Sequence, residues 1–203
     1  GNAAKRAPFA PFGIDVKFVD YGDIAAVHSA IDESVIAIVA EPIQGESGVR
    51  VPPPHFLSDL RQVCDENQLL LWVDEVQSAF GRSGHWFMSR AQGVRPDILT
   101  LAKGIAGGMP LGAMLVDAGL QNVFAPGDHG STFGGNPVNC AAALAVLRAI
   151  DDGQLVERSA ELGNWLRTAI LNLQNNRIAE VRGSGLWLAV EFTTEISGEV
   201  EAA

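Results

Sequence analysis

Three short apolar runs, VIAIVAE (35–41), LLLWVD (69–74) and DILTLA (97–102), each finish on or beside an ionisable residue: Glu41, Asp74 and Lys103. Uninterrupted apolar runs of this length suit strands buried on both faces, and between them the apolar spacing changes to a helical period. The predicted fold class is therefore α/β, a mostly parallel sheet with helices on both faces. GAMLV (112–116) is a fourth candidate strand. Ligands of such sheets bind beyond the carboxyl ends of the strands, so Glu41, Asp74 and Lys103 are expected to converge on one edge.

The intervening segments read as helices. PPPHFLSDLRQVCDEN (52–67) places Phe56, Leu57, Leu60, Val63 and Cys64 on one face, with prolines at its start. An Ala-rich helix is expected over 137–150, with Asn136 as N-cap and Pro137 in the first turn. Its apolar residues spread too widely around the axis for an exposed helix. Asp152-Gly153 breaks it, and a second helix over 154–174 carries Leu155, Leu162, Leu166, Ala169 and Leu173 at helical spacing. IAEVRGSGLWLAVEF reads as a strand pair turning around Gly183–Gly185. A domain boundary near Gly153 divides 1–152, part of a large domain, from 153–203, part of a small C-terminal one.

A formal charge of −10 argues against nucleic acid or an anionic membrane as partner. The longest apolar runs fall short of the ~18 residues that a membrane span needs. Cys64 and Cys140 have no metal-ligand or CxxC spacing and read as inert thiols of a reducing cytoplasm. The chain opens on loop-like GNAAKRAPFAPFG without Met and closes on acidic, polar TTEISGEVEAA, which suggests a fragment.

LLLWVDEVQ by itself resembles the strand that delivers an Asp to magnesium in nucleotide hydrolases. That chemistry needs a G-x-x-x-x-G-K-[ST] phosphate loop, and the chain has none. DHGST (128–132) cannot supply a serine-hydrolase triad, because triads are assembled from separated segments. His28, His55, His85 and His129 lack metal-ligand spacing, so no metal is expected.

Lys103 is more informative. It ends an apolar run and enters the glycine-rich turn GIAGGMPLG. A surface lysine with a snorkelling stem is the ordinary reading. The preceding ILTLA predicts instead a partly buried amine, and a desolvated neutral amine can attack a carbonyl to form a Schiff base. A carboxylate on a neighbouring strand end would complement the pyridinium nitrogen of pyridoxal phosphate, whose ring then serves as an electron sink.

AEPIQGESGV, DEVQSAFGRSG, PDILTLAKGIAGGMPLGAML and HGSTFGGNP occur in that order, with Lys103 as far beyond Asp74 as Thr132 is beyond Lys103. Together these blocks resemble the class III aminotransferases, pyridoxal 5'-phosphate enzymes of the type I fold. The resemblance runs from about residue 8 to 192. APFGIDVKFVDYGDIAAVHSAIDES and HGSTFGGNP are similar to the acetylornithine and ornithine aminotransferase branch.

The resemblance implies a Lys103 Schiff base, with Lys103 also carrying the proton, and Asp74 paired with the pyridine nitrogen. It places Val76 on one ring face, Gln77 at the phenolic oxygen, and Glu75 beside them among the cofactor-binding residues. Thr132 would hold the cofactor phosphate of the neighbouring subunit of a homodimer. Ser131 and Glu46 would lie at the substrate, and Glu41 would support the site from behind. The GGNP helix start also suits an anion. The implied reaction is transfer of an amino group from an acetylornithine-like ω-amino donor to 2-oxoglutarate. An aminomutase or decarboxylase sharing these motifs, and an inactive remnant, are the alternatives. Trp72 and GHWFMSRAQGV (84–94) depart from the family pattern at positions that bear on substrate shape. The upstream phosphate turn, the second aromatic ring contact and the substrate arginines of the family have no counterpart in the chain.

Overall fold

Leu71 and Val73 are fully buried, whereas Leu70, Trp72 and Asp74 around them are half-buried. Such alternation belongs to a strand covered on one face only. The computed structural model describes residues 3–195, and most of the acidic tail lies outside the described residues. β1 (Ala37–Ala40), β2 (Leu70–Asp74), β3 (Ile98–Leu101) and β4 (Ala113–Val116) lie side by side in chain order. The first three are parallel, and β4 runs antiparallel at the edge.

The register puts Ile38, Leu71 and Leu99 on one face, and Val39, Trp72, Ile98 and Val116 on the other. Helices α2 (Ile24–Ala30) and α3 (Phe56–Asn67) cover the first face. Phe56, Leu57, Leu60, Val63 and Cys64 all turn inward from α3, the face expected of it. Each such large side chain contributes roughly 1.5–3 kcal/mol on burial. Pro52, Pro53 and Pro54 precede α3, whose cap position is taken by His55 with φ +69°. The second face does not match the expectation of helices on both sides. Val39 and Met114 are 59% and 52% exposed there, so among the described residues nothing covers them.

Past β2 the chain makes tight turns into the short α4 (Met88–Ala91). The loop-like opening segment contains a helical turn, α1 (Ala3–Arg6), followed by a 3-10 turn over Ala7–Phe9. α5 (Pro137–Asp152) begins as expected, with the Asn136 side chain accepting from the Asn139 amide. Its expected all-round burial is not realised: Asn139, Ala143 and Ile150 are buried, while Val138 and Leu144 are exposed.

α6 (Leu155–Asn172) also corrects an expectation. Val156, Ser159 and Gly163 form its buried face, and Leu155, Leu162 and Leu173 face outward. The reason is close backbone packing. β5 (Ile178–Ser184) and β6 (Trp187–Phe192) form an antiparallel hairpin whose tip, Gly185, lies between α6 and the turn at residues 82–84. Ser159 links the two sides, donating to the Arg82 carbonyl and accepting from the Leu186 amide, each at 3.3 Å. Leucines at that contact would keep the backbones apart.

Candidate active site

Glu41 directly follows β1, Asp74 closes β2, and Lys103 lies just beyond β3. Because the three strands are parallel neighbours, all three groups reach the same edge of the sheet, as expected. Their fields overlap at Glu41. Burial raises its carboxyl above the ordinary range and the Gly45 amide opposes this; Asp74 and Glu46 push it further up, while Lys103 draws it down. The Tyr21 hydroxyl donates to the Glu41 carbonyl at 2.9 Å and fixes the end of β1. Burial, followed by the Glu41 charge, raises the Tyr21 hydroxyl above its usual range.

Asp74 lies on the uncovered face, with Trp72 two positions back. Its Oδ1 accepts from the Val76 amide at 2.9 Å, which turns the chain at the strand end. Val76 and Gln77 are half-buried on this turn. Gln77 donates to Glu46 at 3.3 Å, so two of the expected site residues meet directly. Gly45 permits that approach: a Cβ there would lie 2.5 Å from the Gln77 amide oxygen.

Lys103 corrects the expectation of a partly buried amine. Leu101 is buried, but Lys103 is exposed, because it opens a 3-10 turn (Lys103–Ala106) that leaves the sheet. Its φ of +47° is unusual for a residue with a side chain and marks local backbone strain. Ile105 and Ala106 anchor the turn in the cluster formed with Leu101 and Ala143.

Glu75, expected among the cofactor-binding residues or as a structural acid behind them, has the surroundings of a structural acid. It is fully buried and turned away from the strand edge. Its carboxylate accepts from Ser78 Oγ at 3.0 Å, the Met88 amide at 2.7 Å, and the amide and hydroxyl of Ser89 at 2.9 and 2.6 Å. Glu75 therefore ties the start of α4 to the turn after β2.

Ser131 and Thr132 are exposed, and among the described residues no hydrogen bond or ion pair joins them to Asp74 or Lys103. They precede the α5 start, which Asn139 attaches to the turn after Lys103 by donating to the Pro110 carbonyl at 2.6 Å. Tyr21 was not singled out by sequence, although it is the one tyrosine in the chain. Among the described residues, no cluster of ligating side chains could hold a metal and no helix is long and apolar enough to cross a membrane.

The edge thus offers an accessible primary amine, a carboxylate that accepts one hydrogen bond among the described residues, and an amide donor. Such a set suits a ligand with an aldehyde, a basic ring nitrogen and a phenolic oxygen.

The family model for aminotransferase class-III matches residues 9–202. The acetylornithine aminotransferase of Methanothermobacter thermautotrophicus is 43% identical over 205 residues, which take in 100% of this chain and 53% of that protein. The structure of acetylornithine aminotransferase from Elizabethkingia anophelis superposes with a TM-score of 0.85 at 39% identity, over 90% of this chain and 47% of that one. The ornithine aminotransferase of Toxoplasma gondii, crystallised with oxidised glutathione and with partial occupancy of PLP at its active site, gives 0.85 at 37% identity, over 92% and 46%. The chain spans about half the length of these relatives. With the sheet and helices of these enzymes and a family match along nearly its whole length, the chain belongs to the class-III aminotransferases.

Proposed function

We propose that this chain carries the cofactor-binding edge of a pyridoxal 5'-phosphate-dependent aminotransferase. Its donor would be an ω-amino compound of the acetylornithine and ornithine class, and its acceptor 2-oxoglutarate. The observation that carries this reading is the convergence of Lys103 and Asp74 at the ends of neighbouring strands, in a chain similar to acetylornithine aminotransferases.

In this reading Lys103 holds the cofactor through its amine, and Asp74 pairs with the ring nitrogen. Val76 packs on the ring, Gln77 donates to the phenolic oxygen, and Thr132 holds the phosphate bound by a partner subunit. When bound, pyridoxal phosphate supplies an electron sink for the carbanion formed at the amine-bearing carbon. The Lys103 amine, once released by the substrate, would take the proton from that carbon and carry it to C4′ of the cofactor. The Asp74 carboxylate keeps a positive ring nitrogen favourable. Glu46 and Ser131 contact the substrate, with Glu46 oriented by Gln77.

The same reading makes the working unit a cytoplasmic homodimer. The exposure of Thr132 and of Phe133, which is 80% exposed, supports a partner on that side. The division at Gly153 into two domains is part of the proposal. A second reading, that this chain alone binds the cofactor without turnover, is favoured by the exposure of Lys103, which leaves its amine open to water.

The test is incubation with pyridoxal phosphate, borohydride reduction and peptide mass analysis. The label is expected on Lys103 and absent from Lys103→Ala. Equal labelling of the variant overturns the assignment of Lys103. Turnover of N-acetylornithine with 2-oxoglutarate then separates the two readings.

A further inference from the structure

Residues 44–50 form a closed loop after β1. The Gln44 and Arg50 backbones pair in both directions, at 3.0 and 2.9 Å. Within it, Gly48 has φ +89° and Val49 φ +50°. The first suits glycine, but a β-branched residue in the left-handed region is strained and persists only where its surroundings over-determine it.

Those surroundings come from the distant end of the chain. Val49 is buried in a cluster with Ile43 and Met88, against which Trp187 and Ala189 of β6 pack. From β5, Arg182 Nε donates to the Gly48 carbonyl at 2.8 Å. A Cβ on Gly48 would lie 3.2 Å from Arg182 Nη2, so the absence of a side chain admits the guanidinium. The acids beside Arg182 use a different nitrogen: Nη1 donates to Glu180 at 2.8 Å and to Glu191, which leaves Nε to the Gly48 carbonyl, and the side chain is 14% exposed. The other limb of the loop carries Gly45 and Glu46, which meet Gln77.

We propose that Arg182 is a positioning residue of the site: by bonding the Gly48 carbonyl, it holds the 44–50 loop in the strained form in which Glu46 meets Gln77. Its effect is indirect, since Arg182 touches neither site residue. The inference rests on the reading of Glu46 and Gln77 given above. It adds a link by which the C-terminal hairpin sets the geometry of a loop at the end of β1.

The test uses the 203-residue chain and NMR of the Gln77 side-chain amide, with hydrogen exchange of the backbone. Arg182→Ala removes the bond. Arg182→Lys keeps a cation between Glu180 and Glu191 but loses the planar fork that serves both acids and the carbonyl. In both, the Gln77 signal is expected to move to its position in Glu46→Ala, which removes the acceptor. Amides at 45–50 should exchange about tenfold faster while those of α3 are unchanged. Glu191→Gln, which leaves the Gly48 bond in place, is expected to leave the Gln77 signal where it is. An unmoved Gln77 signal in the Arg182 variants overturns the proposal. So does an equal displacement in Glu191→Gln, which would reduce Arg182 to a hairpin contact. Should Arg182→Ala lose α3 protection, Arg182→Lys decides by the same outcomes. Failure of the cofactor reading is seen separately, as no borohydride-fixed label on Lys103 in the unsubstituted chain.

Discussion

Gly163 and Gly185 pack backbone against backbone: a Cβ on Gly163 would lie 1.9 Å from the Gly185 carbonyl oxygen. Neither side can turn away by changing a rotamer, so α6 and the hairpin tip must separate to admit a methyl group. Gly163→Ala is expected to lower stability by about 1–3 kcal/mol in urea denaturation. Gly13→Ala, where a Cβ meets nothing within 4 Å, should change it by less than about 0.5 kcal/mol.

Glu75 can be tested for its structural role. A glutamine there keeps one acceptor oxygen and turns its amide NH2 toward groups that are themselves donors. Glu75→Gln is expected to cost about 2–4 kcal/mol in the same measurement. It should leave borohydride labelling of Lys103 intact under folded conditions. Loss of labelling with unchanged stability would return Glu75 to the cofactor.

Glu41 gives a pH dependence. Its folded carboxyl titrates above the ordinary value of 4.5, chiefly through burial. The unfolded chain therefore releases this proton first as pH rises, and the stability linked to protonated Glu41 is lost through the folded value. Glu41→Gln should gain stability relative to the original chain as pH rises above the ordinary value of 4.5. A gain by the original chain over that range would contradict the assignment.

Cys64 behaves likewise at alkaline pH. Burial pushes its thiol from 9.0 up to about 11, against a weaker pull from Arg61. Stability should fall as pH rises from 9.0 to about 11, and Cys64→Ala should show less of that fall. Alkylation of the folded chain should reach the half-buried Cys140 first.

Lys103 tests backbone strain apart from chemistry. At φ +47°, glycine is unstrained where alanine is not. Lys103→Gly should be more stable than Lys103→Ala by about 1 kcal/mol in urea denaturation. Both should fail to take the label.

β2, β3 and α3 were legible because each carries its burial in large apolar side chains, and β1 and β4 as short apolar runs, although β4 is largely exposed. α6 was legible as a helix but its buried face was not, because its contact is made by Ser159 and Gly163, whose small size lets backbones meet. The strand-end position of Asp74 set it apart from Glu75 in the sequence, but the burial of Glu75 could not be read there. In the fold, Asp74 stays at the open edge and Glu75 turns into the interior. Lys103 was placed correctly at a strand end, but the apolar run before it reports the burial of β3 and not of the turn that follows. The Arg182–Gly48 bond joins residues far apart in sequence, and no local pattern announces it.

The reversed direction of β4 determines how Lys103 is suspended. A further parallel strand would require a crossover to the opposite end of the sheet, whereas β3 and β4 are joined by a return spanning only residues 102–112. The return is pinned where Leu101 pairs with Ala113 and again where Asn139 grips Pro110. The amine thus hangs from a short bridge with two abutments. Lengthening that bridge by a residue or two would shift the reach of Lys103 while leaving every strand in register, which makes it a natural place to retune this edge for a bulkier ligand.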